Sequence, residues 1–315
     1  MEELYFHKII GDLCEKKNIK MEKLSFDWIL KLSKKDQVKH IIRYAIEWNS
    51  HVSCILAKDK YATFTMLTNN KIPVIQYHIF FNPKTRAEYA NPKMWNEVKK
   101  LYETYQKKLV IKSNEGTQGI QVYLSKSFRK TKKIMKKLFK TEDAVCVCPF
   151  YDFEVEYRAV YIAGEVLTVI GKRKPFVIGD GKSKVKELIQ KQGVCLWDNK
   201  ATQIAKKEID FSYVPKKDEK YNIYWKNNLS SGAIAFVLED EALKKRIEEI
   251  AKQAAHAINI KSATIDVIHM SSDELKVMEI NSSIGITKFA QTVEHGEEIA
   301  YRVYERLLDK MFEDN

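Results

Sequence analysis

Hydrophobic spacing divides the chain into helical and strand-like stretches. Residues 1–58 carry apolar positions compatible with helix, most visibly in "DWILKLSKKDQVKHIIRYAIEW", and are expected to be mostly helical. From Asp59, "DKYATFTMLTNNKIPVIQYHIF" predicts a helix capped by Asp59, ended by "NNKIP", then a short strand. "KKLVIKSNEGTQGIQVYL" reads as strand, glycine loop, strand, and "AVCVCPF" as another strand. "YRAVYIAGEVLTVIGKR" predicts a hairpin turning at Ala163-Gly164. "GDGKSKVKELIQ" predicts a turn and a helix. "DEALKKRIEEIAKQAAHAIN" is strongly helical in period, "SATIDVIHMSSDELKVMEIN" predicts a second hairpin, and "EEIAYRVYERLLDKMF" a final amphipathic helix. Hairpins mixed with helices predict an α+β fold with antiparallel sheets backed by helices.

Composition narrows the class. The chain has 315 residues, 45% apolar, enough for more than one core. No apolar run reaches the roughly 18 residues of a membrane span, and the N-terminus lacks the pattern of a signal peptide, so a cytoplasmic protein is expected. The five cysteines are odd in number and scattered, which argues against a disulfide framework. Cys146 and Cys148 alternate with valines and should share one strand face as small core residues.

The net charge is +12, but residues 126–140 hold eight basic residues and no acidic one; without them +4 remains. Their apolar positions recur at helical spacing, so an amphipathic helix with a lysine-rich outer face is expected. Only eight of the 54 basic residues are arginine. Base readout leans on arginine, so nucleic acid is not an expected partner.

Four stretches carry candidate chemistry. In "VIKSNEGTQGIQV", Lys112 precedes a loop with Gly116 and Gly119, residues that let backbone N–H groups approach phosphate closely. In "FEVEYRAVYIAGEV", Glu154, Glu156 and Arg158 fall on one face, with Lys172, Arg173 and Lys174 at the end of the partner strand. "YWKNNLSSGAIAF" brings Lys226, Asn228, Ser230, Ser231 and Gly232 together. Asp266 lies on one arm of the last hairpin, and Glu279 and Asn281 lie on the other. Such oxygen donors suit a hard divalent cation.

In this order, from about Asp59 onward, the stretches resemble the ATP-grasp superfamily of carboxylate–amine ligases. The resemblance is nearest to the ATP-grasp region of cyanophycin synthetase and bifunctional glutathione synthetase. It implies a fold of two α+β subdomains clamping ATP between antiparallel sheets. The corresponding division is an N-terminal region (1–58), an entry helix and linker (59–107), a lid subdomain with the glycine hairpin (108–150) and a C-terminal subdomain with the metal site (151–315). It implies ATP and Mg2+, with Mn2+ as the substitute metal, an acyl-phosphate route to an amide bond, and an amino acid or short peptide as substrate. No nucleic acid or membrane partner is implied, and a homodimer is compatible with it. A non-catalytic ATP-binding scaffold or sensor, and an ATP-grasp kinase, are the alternatives.

By the resemblance, Lys60 and Lys112 contact ATP phosphates, and Glu115, Gly116, Thr117, Gln118 and Gly119 form the lid hairpin. Backbone near Cys148 and Phe150 meets adenine, and Glu156, with Glu154 as its rival, meets ribose. Arg158, Lys172 and Arg173 lie near the transferred phosphate. Lys226, Asn228, Ser230 and Ser231 line the phosphate or acceptor side, and Asp266, Glu279 and Asn281 hold the metal. The chain departs from the family habit at Cys148 and at Ile284, where glutamate and proline are usual, and at Lys226, where glutathione-synthetase-like chains carry arginine.

Overall fold

The computed structural model describes residues 5–116, 119–194, 203, 205–229 and 232–313. Helix α1 (Tyr5–Lys16) leads into four short strands, β1 (Lys20–Leu24), β2 (Ile29–Lys34), β3 (Gln37–Ile42) and β4 (Ala45–Ile46), which form an antiparallel meander in sequence order. The helical expectation for residues 27–48 is therefore corrected. Leu30, Leu32 and Ile41 are buried while Lys31, Ser33 and Ile42 face outward. That alternation has a period of two. Left-handed backbone at Ser25, Phe26, Asp27, Lys35 and Arg43 turns the chain between the strands. The same apolar positions also fit i, i+3, i+4 spacing, and turns built without glycine or proline hid the hairpins.

Helix α2 (His51–Lys58) and helix α3 (Lys60–Asn69) meet at Asp59, whose Oδ1 accepts the Ala62 N–H at 2.7 Å, the expected cap. A four-stranded sheet in the order β5-β8-β6-β7 follows, with β5 (His78–Phe81), helix α4 (Met94–Thr104), β6 (Leu109–Ser113), β7 (Val122–Ser125), helix α5 (Phe128–Leu138) and β8 (Ala144–Pro149). Helix α5 is the expected lysine-rich helix. Its Ile134, Met135 and Leu138 are buried against Leu109, Ile111, Val145 and Val147. Cys146 and Cys148 face the other way, into a cluster with Ile75, Tyr77, Val110 and Ile268.

The larger sheet runs β13-β10-β9-β14-β15, all antiparallel. Its members are β9 (Val155–Ile162), β10 (Glu165–Arg173), then, beyond the small ribbon of β11 (Phe176–Ile178), helix α6 (Val185–Lys191) and β12 (Lys220–Asn222), β13 (Ile234–Val237), helix α7 (Glu241–Ala257), β14 (Ser262–His269) and β15 (Leu275–Asn281). Both predicted hairpins are present. One sheet face buries Tyr157, Ala159, Ile265 and Val267 against Ile247, Ala251 and Ala254 of α7. The opposite face is divided. Val160, Ile162 and Ile170 pack on α1, the meander and the last helices, α8 (Thr287–Ala290) and α9 (Gly296–Glu313), and the rest of the face carries the charged residues, with Ile268 packed into the apolar cluster under the smaller sheet. Among the described residues, no helix is long and apolar enough to cross a membrane.

Leu32 is buried under the meander and Val38 is exposed on its other face. Leu32→Ala should lower the unfolding free energy by about 2–5 kcal/mol. Val38→Lys should change it by less than about 0.5 kcal/mol. Urea denaturation measures both, and similar losses would contradict the strand assignment.

Candidate active site

The polar half of the large sheet is organised by register. Cross-strand partners share a face. Asp266 on β14 lies between Arg158 on β9 and Glu279 on β15, Lys172 on β10 lies opposite Glu156, and Thr264 lies opposite Asn281. Strict alternation along "LKVMEIN" would put Leu275, Val277, Glu279 and Asn281 on one face. The register shifts at Met278. One extra residue reverses the side-chain parity beyond it. Leu275, Val277 and Ile280 therefore reach the apolar core, while Glu279 and Asn281 join the face of Asp266.

Asp266 is fully buried and is the hub of this face. Arg158 grips it twice, Nε to Oδ1 at 2.8 Å and a terminal nitrogen to Oδ2 at 2.7 Å. The Lys172 ammonium lies 3.3 Å from Oδ1 and also donates to Glu156. The Asn281 amide lies 3.4 Å from both Asp266 and Glu279. Burial pushes the Asp266 carboxyl up, but Arg158 and Lys172 outweigh it and hold the group well below the usual carboxylate range. Burial pushes Glu156 up, against the pull of Lys172. Glu279 has no ion pair among the described residues. The face thus sets two cations against three carboxylates, with the surplus at Glu279.

Three lysines come from other elements. Lys60, at the start of α3, is buried and donates to the carbonyls of Asn114 (3.2 Å) and Gly116 (2.7 Å). Burial lowers its pKa, and the charge of Glu279 partly opposes this. Lys112 on β6 donates to the Tyr77 hydroxyl at 2.6 Å, and Tyr77 donates to the carbonyl of Met278, the residue at the register shift, at 3.1 Å. Tyr77 so links the smaller sheet to the strand that carries Glu279. Lys226 donates to the carbonyls of Gly119 (3.2 Å) and Val122 (2.8 Å), beside the Trp225 ring, and burial lowers its pKa to about 8. Gly119 has a φ of +67°, a left-handed backbone that favours glycine, and it lies against the Asn228 side chain.

Residues 219–307 match the RimK-like ATP-grasp domain. The arrangement of two antiparallel sheets backed by helices superposes on solved ATP-grasp ligases. The chain has the ATP-grasp fold. A bifunctional glutathione synthetase from Pasteurella multocida superposes over 94% of this chain and 43% of its own, with a TM-score of 0.56 and 17% identity. D-alanine–D-alanine ligase from Bacillus anthracis covers 84% of this chain and 69% of its own, with a TM-score of 0.55 and 18% identity. Among curated proteins, the glutathione biosynthesis bifunctional protein GshAB of Clostridium perfringens is 22% identical over 239 residues. The aligned region is 70% of this chain and 29% of that relative.

Within the ATP-grasp frame, Arg158, Lys172, Glu156, Asp266, Glu279 and Asn281 form one cluster, with Lys60 and Lys112 close by. Arg173 is not part of it. It alternates to the other side of β10, where its guanidinium lies 4.2 Å from the Phe236 ring centre. Glu154 precedes β9 and is exposed, 3.3 Å from Lys220, so the two rival glutamates occupy different surroundings. Glu115 is exposed and pairs with Lys58 at 2.6 Å. Phe150 lies 6.3 Å from Trp225, ring to ring, at the edge of the apolar cluster containing Cys148, whose thiol burial pushes up. Asn228 faces Gly119. Thr117, Gln118, Ser230 and Ser231 lie outside the described residues.

Sequence reading missed Tyr77, hidden in the apolar "IPVIQYHIF". It also missed Asn227, whose buried amide donates to the carbonyls of Glu154 and Lys172. The signal for Asn227 was its place beside Asn228 in a polar loop. Among the described residues, no group of three or more His, Cys, Asp or Glu stands at metal-holding spacing. The donor set that remains is two carboxylates and a carboxamide, which fits a hard cation in chemical type. Glu279 and Asn281 carry that fit, because Asp266 is already engaged by Arg158 and Lys172.

Asp266→Ala should cost about 3–5 kcal/mol, because it strips the buried Lys172 ammonium and the partly buried Arg158 guanidinium of their shared partner. Glu279→Gln, which breaks no ion pair, should cost less than about 1 kcal/mol. Urea unfolding distinguishes them. The Asp266 contribution should be present above the usual carboxylate range and fade as pH falls toward its lowered folded value. Equal losses would overturn the description of Asp266 as the hub.

Proposed function

We propose that the protein is an ATP-dependent ligase that joins a carboxylate to an amine, with an amino acid or short peptide as substrate. The carrying observation is the meeting of Lys60 and Lys112 with the Arg158–Asp266–Lys172–Glu279 cluster between two antiparallel sheets. ATP would phosphorylate the carboxylate and leave as ADP, and the amine would displace phosphate from the acyl phosphate. The four-part division given above belongs to this proposal.

No protein nucleophile is needed in such a sequence, so catalysis reduces to placing charge. Lys60 and Lys112 would bind the phosphates. Arg158 and Lys172, already fixed by Asp266 and Glu156, present cationic groups that need no reorganisation as charge develops on the transferred phosphoryl group. Glu279 and Asn281 would hold a divalent cation, with Asp266 beside them engaged by Arg158 and Lys172, and the cation would supply neutralisation of phosphate charge. The glycine hairpin of β6 and β7 would keep water from the acyl phosphate.

Lys60 and Lys226 spend their protons on hairpin carbonyls here. Phosphates would take over those bonds and favour the charged ammonium, so the Lys226 pKa should rise from about 8 on nucleotide binding. Near pH 8 to 9, ATP binding should therefore take up protons, and below about pH 7 the uptake should vanish. Calorimetry in two buffers of different ionisation enthalpy measures this, and Lys226→Met should abolish it. ADP release with amino-acid and short-peptide pairs should fall by about 100-fold or more in Glu279→Gln. Undiminished turnover in that variant would sink the assignment.

A further inference from the structure

The meander has two faces, and its outer one is apolar along a line. Register places Leu24 of β1, Ile29 of β2, Ile42 of β3 and Ala45 of β4 side by side across all four strands. Ile42 is 44% exposed and Leu24 42%. Beside this row stand the residues of the β1–β2 turn, Phe26 at 97% exposed and Trp28 at 48%. Arg43, from the β3–β4 turn, stacks on Trp28 at 3.8 Å from the ring centre. Exposed aliphatic groups flanked by an aromatic ring and a stacked arginine have the composition of a binding hot spot. Among the described residues they are not part of a core cluster, since Leu30, Leu32 and Ile41 point the other way into the core.

Three features specify the occupant. Residues 20–46 carry seven basic and three acidic side chains, a surplus of four positive charges over the whole meander, and on the row's own face Lys20 and Lys31 flank Glu22 and pair with it. β1 is an edge strand, so its outer backbone groups are open to an added strand. The meander also adjoins the far end of the catalytic face. The Tyr44 hydroxyl lies 2.9 Å from Thr287 Oγ1, and the Asn49 amide donates to the Ser282 carbonyl, next to Asn281.

We propose that this face docks an extended acidic peptide with interspersed apolar side chains, and that such a peptide is the carboxylate substrate. The substrate half rests on the ligase reading, and the docking half does not. A fluorescein-labelled twelve-residue peptide alternating Glu with Leu and Phe is the probe, read by anisotropy without ATP. It should bind wild-type protein and weaken with added salt. It should bind at least about tenfold more weakly to a Phe26→Ser, Trp28→Ala, Ile42→Lys variant. Trp28 and Ile42 are half-covered and Arg43 stacks on Trp28, so thermal unfolding is followed in parallel and binding is compared at a temperature where both proteins are fully folded. Docking is overturned by absent binding, by an equally bound peptide with Lys in place of Glu, or by unchanged affinity in the variant. Concentration-dependent dimerisation lost in the variant would make a second copy the occupant. Capture of the protein by phosphatidylserine vesicles in place of the peptide would make it a lipid surface. Either result overturns the proposal. With ATP and an amine panel, the variant should raise the KM for the peptide with kcat retained. Intact docking without turnover of any acidic peptide would overturn the substrate half alone.

Discussion

A carboxylate buried in the middle of a sheet is the constraint on which the rest of this structure depends. Asp266 is sequestered from water, and an ionised carboxylate there is tolerated only if cations meet it. Arg158 meets it bidentately from one neighbouring strand, and Lys172 reaches it from the next. Once those two cations are fixed, Glu156 follows as the second partner of Lys172. Glu279 is then left with charge to spare. The floor is therefore set before any ligand arrives, which is the condition for stabilising charge without reorganisation.

The second determinant is one extra residue. The shift at Met278 lets a seven-residue strand send Leu275, Val277 and Ile280 into the core and Glu279 and Asn281 to the face of Asp266. The same Met278 offers its carbonyl to Tyr77, and Tyr77 holds Lys112. A local irregularity thus couples the acidic strand to a basic group on the other sheet. Bulges recur beside active sites because they re-aim side chains in this way.

Much of this was legible in the sequence, for identifiable reasons. The Asp59 cap, the lysine-rich α5 and the hairpins at Ala163-Gly164 and after His269 follow from local chemistry that tertiary context did not override. The cluster residues Arg158, Lys172, Asp266, Glu279 and Asn281 were also visible, as charges inside apolar runs. The bulge was not, because a register shift depends on the partner strand. The meander was misread because its apolar positions satisfy two periods at once. Arg173 fell outside the cluster because neighbours in a strand point to opposite faces, and the sequence alone does not say whether Lys172 or Arg173 faces inward. Glu154 has the parity of Glu156 but precedes the first paired residue of β9, where the chain is exposed, and that boundary was not visible in the sequence.

The central claim is that the charged floor serves transfer of phosphate to a carboxylate and then its replacement by an amine. The most direct measurement supplies a carboxylate substrate labelled with 18O in its carboxyl group, together with ATP, a divalent cation and an amine. Mass analysis then follows both amide and phosphate. The account predicts ADP, an amide, and phosphate carrying one 18O atom from the substrate carboxyl. Amide formation with unlabelled phosphate, or ATP bound without ADP formed across amino acids and acidic peptides, would contradict it.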